Sequence, residues 1–430
     1  MTRITFLNHA SFIIEYDNIK ILNDPYLSGS AFNNGWNLLQ EFDHKEYLED
    51  ITHICFSHEH PDHFSIPFLK SIDESKRPKI TIIYQETFDK RVKNFCQKLG
   101  YQFLEFENLI EKQIKENFSI TIGKVPFYDS WINYKVNGKN ILNVNDCVIE
   151  NPSVANQIKK NIKEVHTLLT QFSYASYIPE NEQKEKALKC LENIKIQDEI
   201  LKPNFIIPFA SFIYFSNTQN RFMNKNINTI EKTYDYLTKN CNANPIILAP
   251  NEIWNLQIKD NKKSLLFWKN IYDNLNDLDY YEEKNLYKLN ELTDKSQKYI
   301  EKIYKKNNRF ILRILHKFKI LSPVNIFISD LNIYLNFSII DGLTEISQNK
   351  LNDNFVKMDS NSLAFIFDYE YGLDTLLVNA RFETFKTYKN NLIKSFAIGA
   401  LNNTGRFMRF RDLFKYLNIN FIERTLKKLK

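Results

Sequence analysis

The chain has 430 residues, of which 43% are apolar and 25% charged, with 57 Lys and Arg against 51 Asp and Glu. That composition excludes a disordered or collagen-like chain. A net charge of +6 is too small for a dedicated nucleic-acid binder, yet it suits a small anionic substrate.

Residues 4–7, 11–16 and 19–23 read as three short strands, with Asp17-Asn18 as a turn. This opening has no basic stretch followed by a long apolar run, so no leader peptide is expected. A strand over 52–56 runs into Ser57-His58-Glu59-His60-Pro61-Asp62-His63. Strands follow at 79–84, 119–125, 131–136 and 139–144. The last pair is joined by Asn137-Gly138, where both positions tolerate the positive φ of a hairpin turn. Strands at 167–171, 205–209 and 245–248 then alternate with helices at 181–195 and 227–239, the pattern of an α/β layered domain.

That domain is expected to span residues 1–260. Residues 261–320 read as a charged helical linker. Residues 321–430 read as a smaller α+β domain, with strands at 324–331, 333–339, 362–368 and 375–381 and a closing helical region at 385–430. The stretch 371–376 stands as a lid or a dimer contact. Segment 299–321 carries Lys305, Lys306, Arg309, Arg313, Lys317 and Lys319 among Ile, Leu and Phe. It reads as a linker helix with a solvated basic face, a membrane-surface or phosphate-binding helix being the alternative. No apolar run approaches the roughly 18 residues of a spanning helix, so no transmembrane segment is expected. Cysteines at 55, 96, 147, 190 and 241 form no CxxC pair. They read as reduced thiols, and the expected location is cytoplasmic.

Chemistry concentrates in residues 57–63, which hold three of the eight histidines and two carboxylates. Neutral imidazole and carboxylate suit zinc or ferrous iron. His58 and His60 lie two apart on an extended loop, so both can point to one side. Asp62 and His63 are adjacent and would face a second position a few ångströms away. The bland alternative is a polar loop with hydrogen-bonded histidines. Asp146 ends the 139–144 strand and could bridge two ions or serve as a turn residue. Asp24, before Pro25, has the same ambiguity, and His9 reads first as a structural histidine. Ser57 and Ser65 read as turn hydroxyls. Neither a GxSxG elbow nor a P-loop occurs. The aromatics Tyr174, Tyr177, Phe209, Phe212, Tyr214 and Phe215 read as core before they read as a stacking cleft.

His58-Glu59-His60-Pro61-Asp62-His63 resembles the HxHxDH signature of the metallo-β-lactamase superfamily. Asn8-His9-Ala10-Ser11 with Asn23-Asp24-Pro25 resembles the opening of its branch of ascorbate-phosphate lactonases and related hydrolases. Asp24-Pro25-Tyr26-Leu27, Ala31-Phe32, Gly35-Trp36, Leu38-Leu39, residues 57–65 and 139–147, and Pro208-Phe209-Ala210 resemble the catalytic part of the CMP-N-acetylneuraminate hydroxylase family. The similarity covers residues 1–255 well and the rest weakly. It implies an αββα sandwich in which His58 and His60 hold one ion, Asp62 and His63 another, and Asp146 bridges them. Asp62 and His63 would be the catalytic pair.

Two departures from the pattern matter. No His lies between His63 and His166 or between His166 and His316. Asp129 or Tyr128, Asn217, and His166 are the candidate substitutes, and one ion or two, zinc or iron, stay open. Nor is there a Rieske cysteine-histidine pair, so an oxygenase would need an outside electron-transfer partner. The expected activity is hydrolysis of an anionic ester, lactone or nucleotide-sugar-like substrate through a metal-activated water. The alternative is an iron-dependent oxygenase acting on a CMP-sialic-acid-like nucleotide sugar. A third possibility is a binding protein with a relic site.

Overall fold

The computed structural model describes residues 2–125, 129–147, 152–348, 354–384 and 386–412. From the N-terminus come β1 (Arg3–Asn8), β2 (Ser11–Tyr16), β3 (Ile19–Asn23), β4 (Ser30–Ala31), β5 (Trp36–Leu38), α1 (Lys45–Leu48), β6 (His53–Cys55), α2 (Ile66–Ser71), β7 (Thr81–Gln85), α3 (Arg91–Lys98) and β8 (Gln102–Phe106). Next are β9 (Lys112–Lys115), β10 (Phe118–Lys124), β11 (Ser130–Val136), β12 (Lys139–Asn145), α4 (Pro152–Asn161), β13 (Thr167–Gln171), α5 (Gln183–Leu201), β14 (Phe205–Phe209) and β15 (Ile213–Phe215). Helix α6 (Ile230–Asn240), β16 (Asn244–Pro245), β17 (Ile253–Trp254) and α7 (Lys262–Asp273) follow.

Two seven-stranded sheets dominate, in the orders β17-β1-β2-β3-β6-β7-β8 and β16-β14-β13-β12-β11-β10-β9. Each begins as an antiparallel meander and becomes parallel where helices enter, at β3–β6 and at β12–β13. Alternation along the strands decides the layering. On β2, Phe12 and Ile14 join the core between the sheets, while Ile13 joins a second cluster with Leu69 and Cys96 of α2 and α3. Phe12 meets Tyr134 and Phe209 of the facing sheet edge-on, at 6.4 and 5.9 Å. Ala155, Ile158, Leu191 and Ile194 of α4 and α5 cover the far face of the second sheet. The result is the expected α/β fold, an αββα sandwich.

The remaining elements are α8 (Leu289–Lys306), α9 (Arg309–Lys317), β18 (Val324–Ile328), β19 (Ile333–Ser338), β20 (Gly342–Glu345), β21 (Val356–Met358), α10 (Ser360–Asp368), α11 (Gly372–Asn379) and α12 (Lys386–Asn403). Strands β20-β19-β18-β21 form one sheet. Its Phe337 stacks on Phe396 of α12 at 4.8 Å and meets Phe367 of α10 at 5.2 Å.

Several expectations need correction. Residues 362–368 and 375–381, read as strands, lie largely in α10 and α11. Short apolar runs do not separate the two states, and Asp359 caps α10 by accepting from Ser362 N at 2.7 Å. The helix expected over 299–321 breaks at Asn307-Asn308, where the Asn308 side chain caps α9 by accepting from Phe310 N and Ile311 N. The strand expected at 245–248 is reduced to Asn244–Pro245, after which Ile246 N still donates to Ile206 O at 2.8 Å. Of the closing region, residues 413–430 lie outside the described residues. The six aromatics from Tyr174 to Phe215 are all buried, as a core requires.

The C-terminal part is clamped to the sandwich. Arg381, fully buried, donates to Asn33 O at 2.8 Å and pairs with Asp359 and Glu283 at 2.8 and 3.1 Å. Asn220 donates to the carbonyls of Gly35 and Asn379 at 2.8 and 2.6 Å. Tyr177 stacks on Phe382 at 4.1 Å. No helix among the described residues is long and apolar enough to cross a membrane.

Candidate metal centre

The centre forms where two neighbouring strands of one sheet and one strand of the facing sheet end together. Parallel pairing of β3 with β6 sets Asp24 beside the loop that follows Cys55, and Asp24 N donates to Cys55 O at 3.0 Å. The facing sheet contributes Asp146, after β12. Across the seam, Ser130 Oγ donates to Ser57 O at 2.5 Å and Asn145 Nδ2 donates to Ser130 O at 2.8 Å. His9, Asp24 and Asn145 all have left-handed backbone, with φ of 42, 38 and 42°. Such conformations cost energy and gather at functional sites.

Ser57 organises the histidines. Its N and Oγ donate to the two oxygens of Asp24 at 2.8 and 2.7 Å. Its Oγ also lies 3.0 Å from His58 Nδ1 and 3.2 Å from His63 Nδ1, and His63 Nδ1 is 3.1 Å from Asp24. With Nδ1 of both rings engaged, Nε2 is the atom left to face the centre, the usual arrangement behind a metal-ligating histidine. His58 Nε2 lies 3.5 Å from Asp146 and 2.9 Å from His60 Nδ1. His63 Nε2 lies 3.5 Å from Asp62 and 3.8 Å from Asp146. His9 Nε2 approaches Asp62 at 3.3 Å.

Donor atoms of His9, Asp62 and His63 converge within 4.8 Å of one another, and so do those of His58, His63 and Asp146. His63 belongs to both groups. His63 Nε2, Asp62 Oδ1 and Asp146 Oδ1 are buried without a hydrogen-bond partner. Orphaned polar atoms of this kind are costly in a protein interior, and a divalent cation would satisfy them. The electrostatics agree. Burial works against charge on His63, yet Asp62, Asp146 and Asp24 outweigh it and lift the imidazole to about 10. Burial also opposes charge on Asp62, and His63 and His9 more than offset it, holding this carboxyl well below its usual range. His58, by contrast, is pushed down to about 3, chiefly by burial.

The remaining sequence candidates fall elsewhere. Asp24 directs its oxygens to Ser57 and His63 and so stands behind the histidines of the centre. His166 sits at the opposite end of the sheet, before β13, bonded to Thr167 Oγ1 at 2.9 Å and packed on Phe205. Asn217 closes a turn, accepting from Gln219 N at 3.0 Å. Asp129 lines the cavity over the centre. Tyr128 lies outside the described residues.

That cavity, about 590 Å³, opens on His58, Glu59 and His60. Its other wall comes from the C-terminal part, through Tyr371, Asp374, Thr375, Leu401, Thr404 and Arg406. Arg91 ties the two walls together. It donates to Asp89 and the Tyr371 hydroxyl and lies 3.5 Å from Glu59. Burial raises the Asp374 carboxyl above its ordinary range, with His60 pulling the other way. Sequence analysis missed Ser57 as an organiser and covered Asp374 only within the 371–376 stretch read as a lid or a dimer contact. Adjacency to His58 was the one signal for Ser57, and nothing local marks Asp374.

Residues 3–162 match the family described as the beta-lactamase superfamily domain. The chain is 34% identical over 157 residues to cytidine monophosphate-N-acetylneuraminic acid hydroxylase of Xenopus laevis, which covers 35% of this chain and 26% of that protein. To the protein of the same name from Macaca mulatta it is 29% identical over 261 residues, covering 55% of this chain and 44% of the relative. The chain thus spans less than half the length of these curated relatives. Among solved structures, isothiocyanate hydrolase from Delia radicum gut bacteria aligns with a TM-score of 0.44 at 11% identity, covering 59% of this chain and 98% of that one. Residues 3–162, with their HxHxDH loop at the strand ends, are a domain of the metallo-β-lactamase superfamily.

Proposed function

We propose that this chain is a metal-dependent enzyme that hydrolyses an anionic ester, lactone or nucleotide-sugar-like substrate bound in the cavity over the HxHxDH loop. The observation that carries the reading is the convergence of two donor groups on one shared imidazole, His63, with orphaned buried atoms between them. His58, His60 and Asp146 would hold one ion. Asp62, His63 and His9 would hold a second, His9 taking the part of a histidine that the superfamily pattern supplies later in the chain. Zinc and iron both suit this nitrogen and oxygen set. A divalent ion bound there supplies Lewis acidity and a water acidified to near neutral pH.

The chain's own residues do the remaining work. Ser57 and Asp24 keep Nδ1 of His58 and His63 engaged, so that Nε2 faces the ion. Arg91, shared with Asp89 and Glu59, and Arg406 are the cations of the cavity wall that could meet an anionic group, set among Glu59, Asp129 and Asp374. Asp374, raised by burial, is suited to hold a proton near a leaving group. Phe32, Phe64 and Phe95 wall the cavity with apolar surface and limit water. A cavity of about 590 Å³ is within the ordinary size of small-molecule sites. The test is elemental analysis of anaerobically purified protein beside a hydrolase substrate screen. His60→Ala should lose metal and turnover together, and a fully active variant would end the proposal.

A second reading has its own support in the names of the curated relatives, which are hydroxylases. Here the same ligands would hold iron, the substrate would be a CMP-sialic-acid-like nucleotide sugar, and electrons would come from a separate donor. Iron in the purified protein with donor-dependent oxygen uptake favours this reading. Zinc alone with no uptake favours hydrolysis.

A further inference from the structure

Residues 302–329 contain no acidic side chain, while Lys302, Lys305, Lys306, Arg309, Arg313, Lys317 and Lys319 all fall within them. Those seven cations exceed the net charge of the entire chain, +6. Helix α9 lies at the centre of this stretch. Ile311 and Leu312 turn inward and are buried at 5 and 0% exposure. On the outer side, Phe310, Ile314 and Phe318 are 63, 38 and 70% exposed, with Ile320 beyond them at 42%. Spaced four apart, Phe310, Ile314 and Phe318 form one apolar stripe, and Arg309, Arg313 and Lys317 form a parallel cationic one beside it.

A solvated basic face does not need this apolar stripe. Contiguous exposed apolar surface marks an interaction site, and long cationic side chains beside it can keep their heads at a polar boundary while their stems lie on apolar surface. At the N-terminal end of α9 a cavity of about 380 Å³ is lined by Lys305, Lys306, Asn307, Asn308, Arg409, Phe410 and Arg411. Arg409 is fixed there by donating to Lys306 O at 2.8 Å, and Phe410 is 57% exposed. Asn308 N and Met408 O pair at 2.8 Å and hold the two segments together. Carboxylates that approach this patch stay at its margin, Glu370 at 3.8 Å from Lys306 and Asp412 at 3.8 Å from Arg411.

We propose that α9 and the adjoining cationic cavity dock this protein on an anionic lipid surface. Phe310, Ile314 and Phe318 enter the boundary between headgroups and acyl chains. Arg309, Arg313 and Lys317 lie at headgroup level, and the cavity takes a lipid phosphate. Phe310, Phe318 and Phe410 would serve a base as well as an acyl chain, so the exposed aliphatic Ile314 and Ile320, which give a base no face to stack on and which acyl chains accept, favour lipid over a nucleic acid. The same backbone stretch runs from Thr404 and Arg406 at the substrate cavity to Arg409 and Phe410 at this patch, so the docked surface adjoins the cavity. The inference does not depend on the reaction catalysed.

The test is flotation of the full chain with phosphatidylcholine vesicles, with and without phosphatidylserine. Binding should require phosphatidylserine and weaken with salt. Reversing three charges (Arg309→Glu, Arg313→Glu, Lys317→Glu) should weaken partitioning on the order of 100-fold. The triple change Phe310→Ser, Ile314→Ser, Phe318→Ser should weaken it about tenfold or more. Both variants should keep wild-type melting and metal content, which separates failure here from failure of the catalytic proposal. If the apolar triple does not fold, Phe318→Ser alone is measured. Equal binding to neutral vesicles would overturn the inference. So would unchanged binding by the apolar variant, preference for single-stranded RNA over vesicles, or a dimer that occupies the stripe in place of lipid.

Discussion

One hydroxyl, Ser57 Oγ, lies within 3.2 Å of Nδ1 on both His58 and His63 while donating to Asp24. Second partners of this kind are worth about 10–100-fold in metal affinity. Ser57→Ala should therefore weaken metal binding by about that factor and leave the fold intact, as measured by competition with a chromophoric chelator. His63 gives a pH dependence. Its folded value of about 10 stands above the ordinary 6.5, so its contribution to stability is complete below pH 6.5 and vanishes as pH climbs through about 10. Chelator-treated protein should lose melting temperature between pH 7 and 10, and His63→Asn should flatten that slope. At this scale the sequence points to a candidate centre where possible donors crowd together, at residues 57–63. It was opaque where a bond spans 33 residues, as from Ser57 to Asp24. Nothing local distinguishes a carboxylate that could hold an ion from one that orients a histidine. His166 misled for the same reason, since type and spacing do not reveal which end of a sheet a residue occupies.

Among the elements, β1 to β3, β6, β7 and β10 to β12 could be read because period-two alternation and turn residues coincide there, whereas β4, β5, β8, β9 and α3 went unread. Helices α10 and α11 could not be read either. Their runs are short and apolar, and packing against α8 and the sandwich decides their state. This error hid the element that brings Asp374 to the cavity. Asp374→Asn should lower kcat by about 10²–10⁴-fold with metal content unchanged and should remove one limb of the pH–rate profile. A loss confined to KM would show that it only binds substrate. Gly35, one of the residues behind the family resemblance, has a physical role at the same seam. A Cβ there would come within 2.3 Å of Asn379 Cβ and 3.0 Å of Phe32 O. Gly35→Ala should cost about 1–3 kcal/mol of stability, measurable by urea unfolding.

Across the whole molecule, the C-terminal part is held by buried charge as well as by apolar packing. Arg381 has no exposed surface and serves Asp359, Glu283 and Asn33 O together. Removing one partner of such a cluster strands the others without compensation. Arg381→Ala should cost about 3–5 kcal/mol, seen as a lower urea midpoint for the full chain. Joining the distant Asn33, Glu283 and Arg381 is a global result that no window of sequence displays. The cavity is likewise composite, since its ion cradle comes from residues 9–146 and its opposite wall from residues 371–406. Substitutions at a few positions near the carboxyl end can therefore reshape what the cavity admits while leaving the histidine loop untouched.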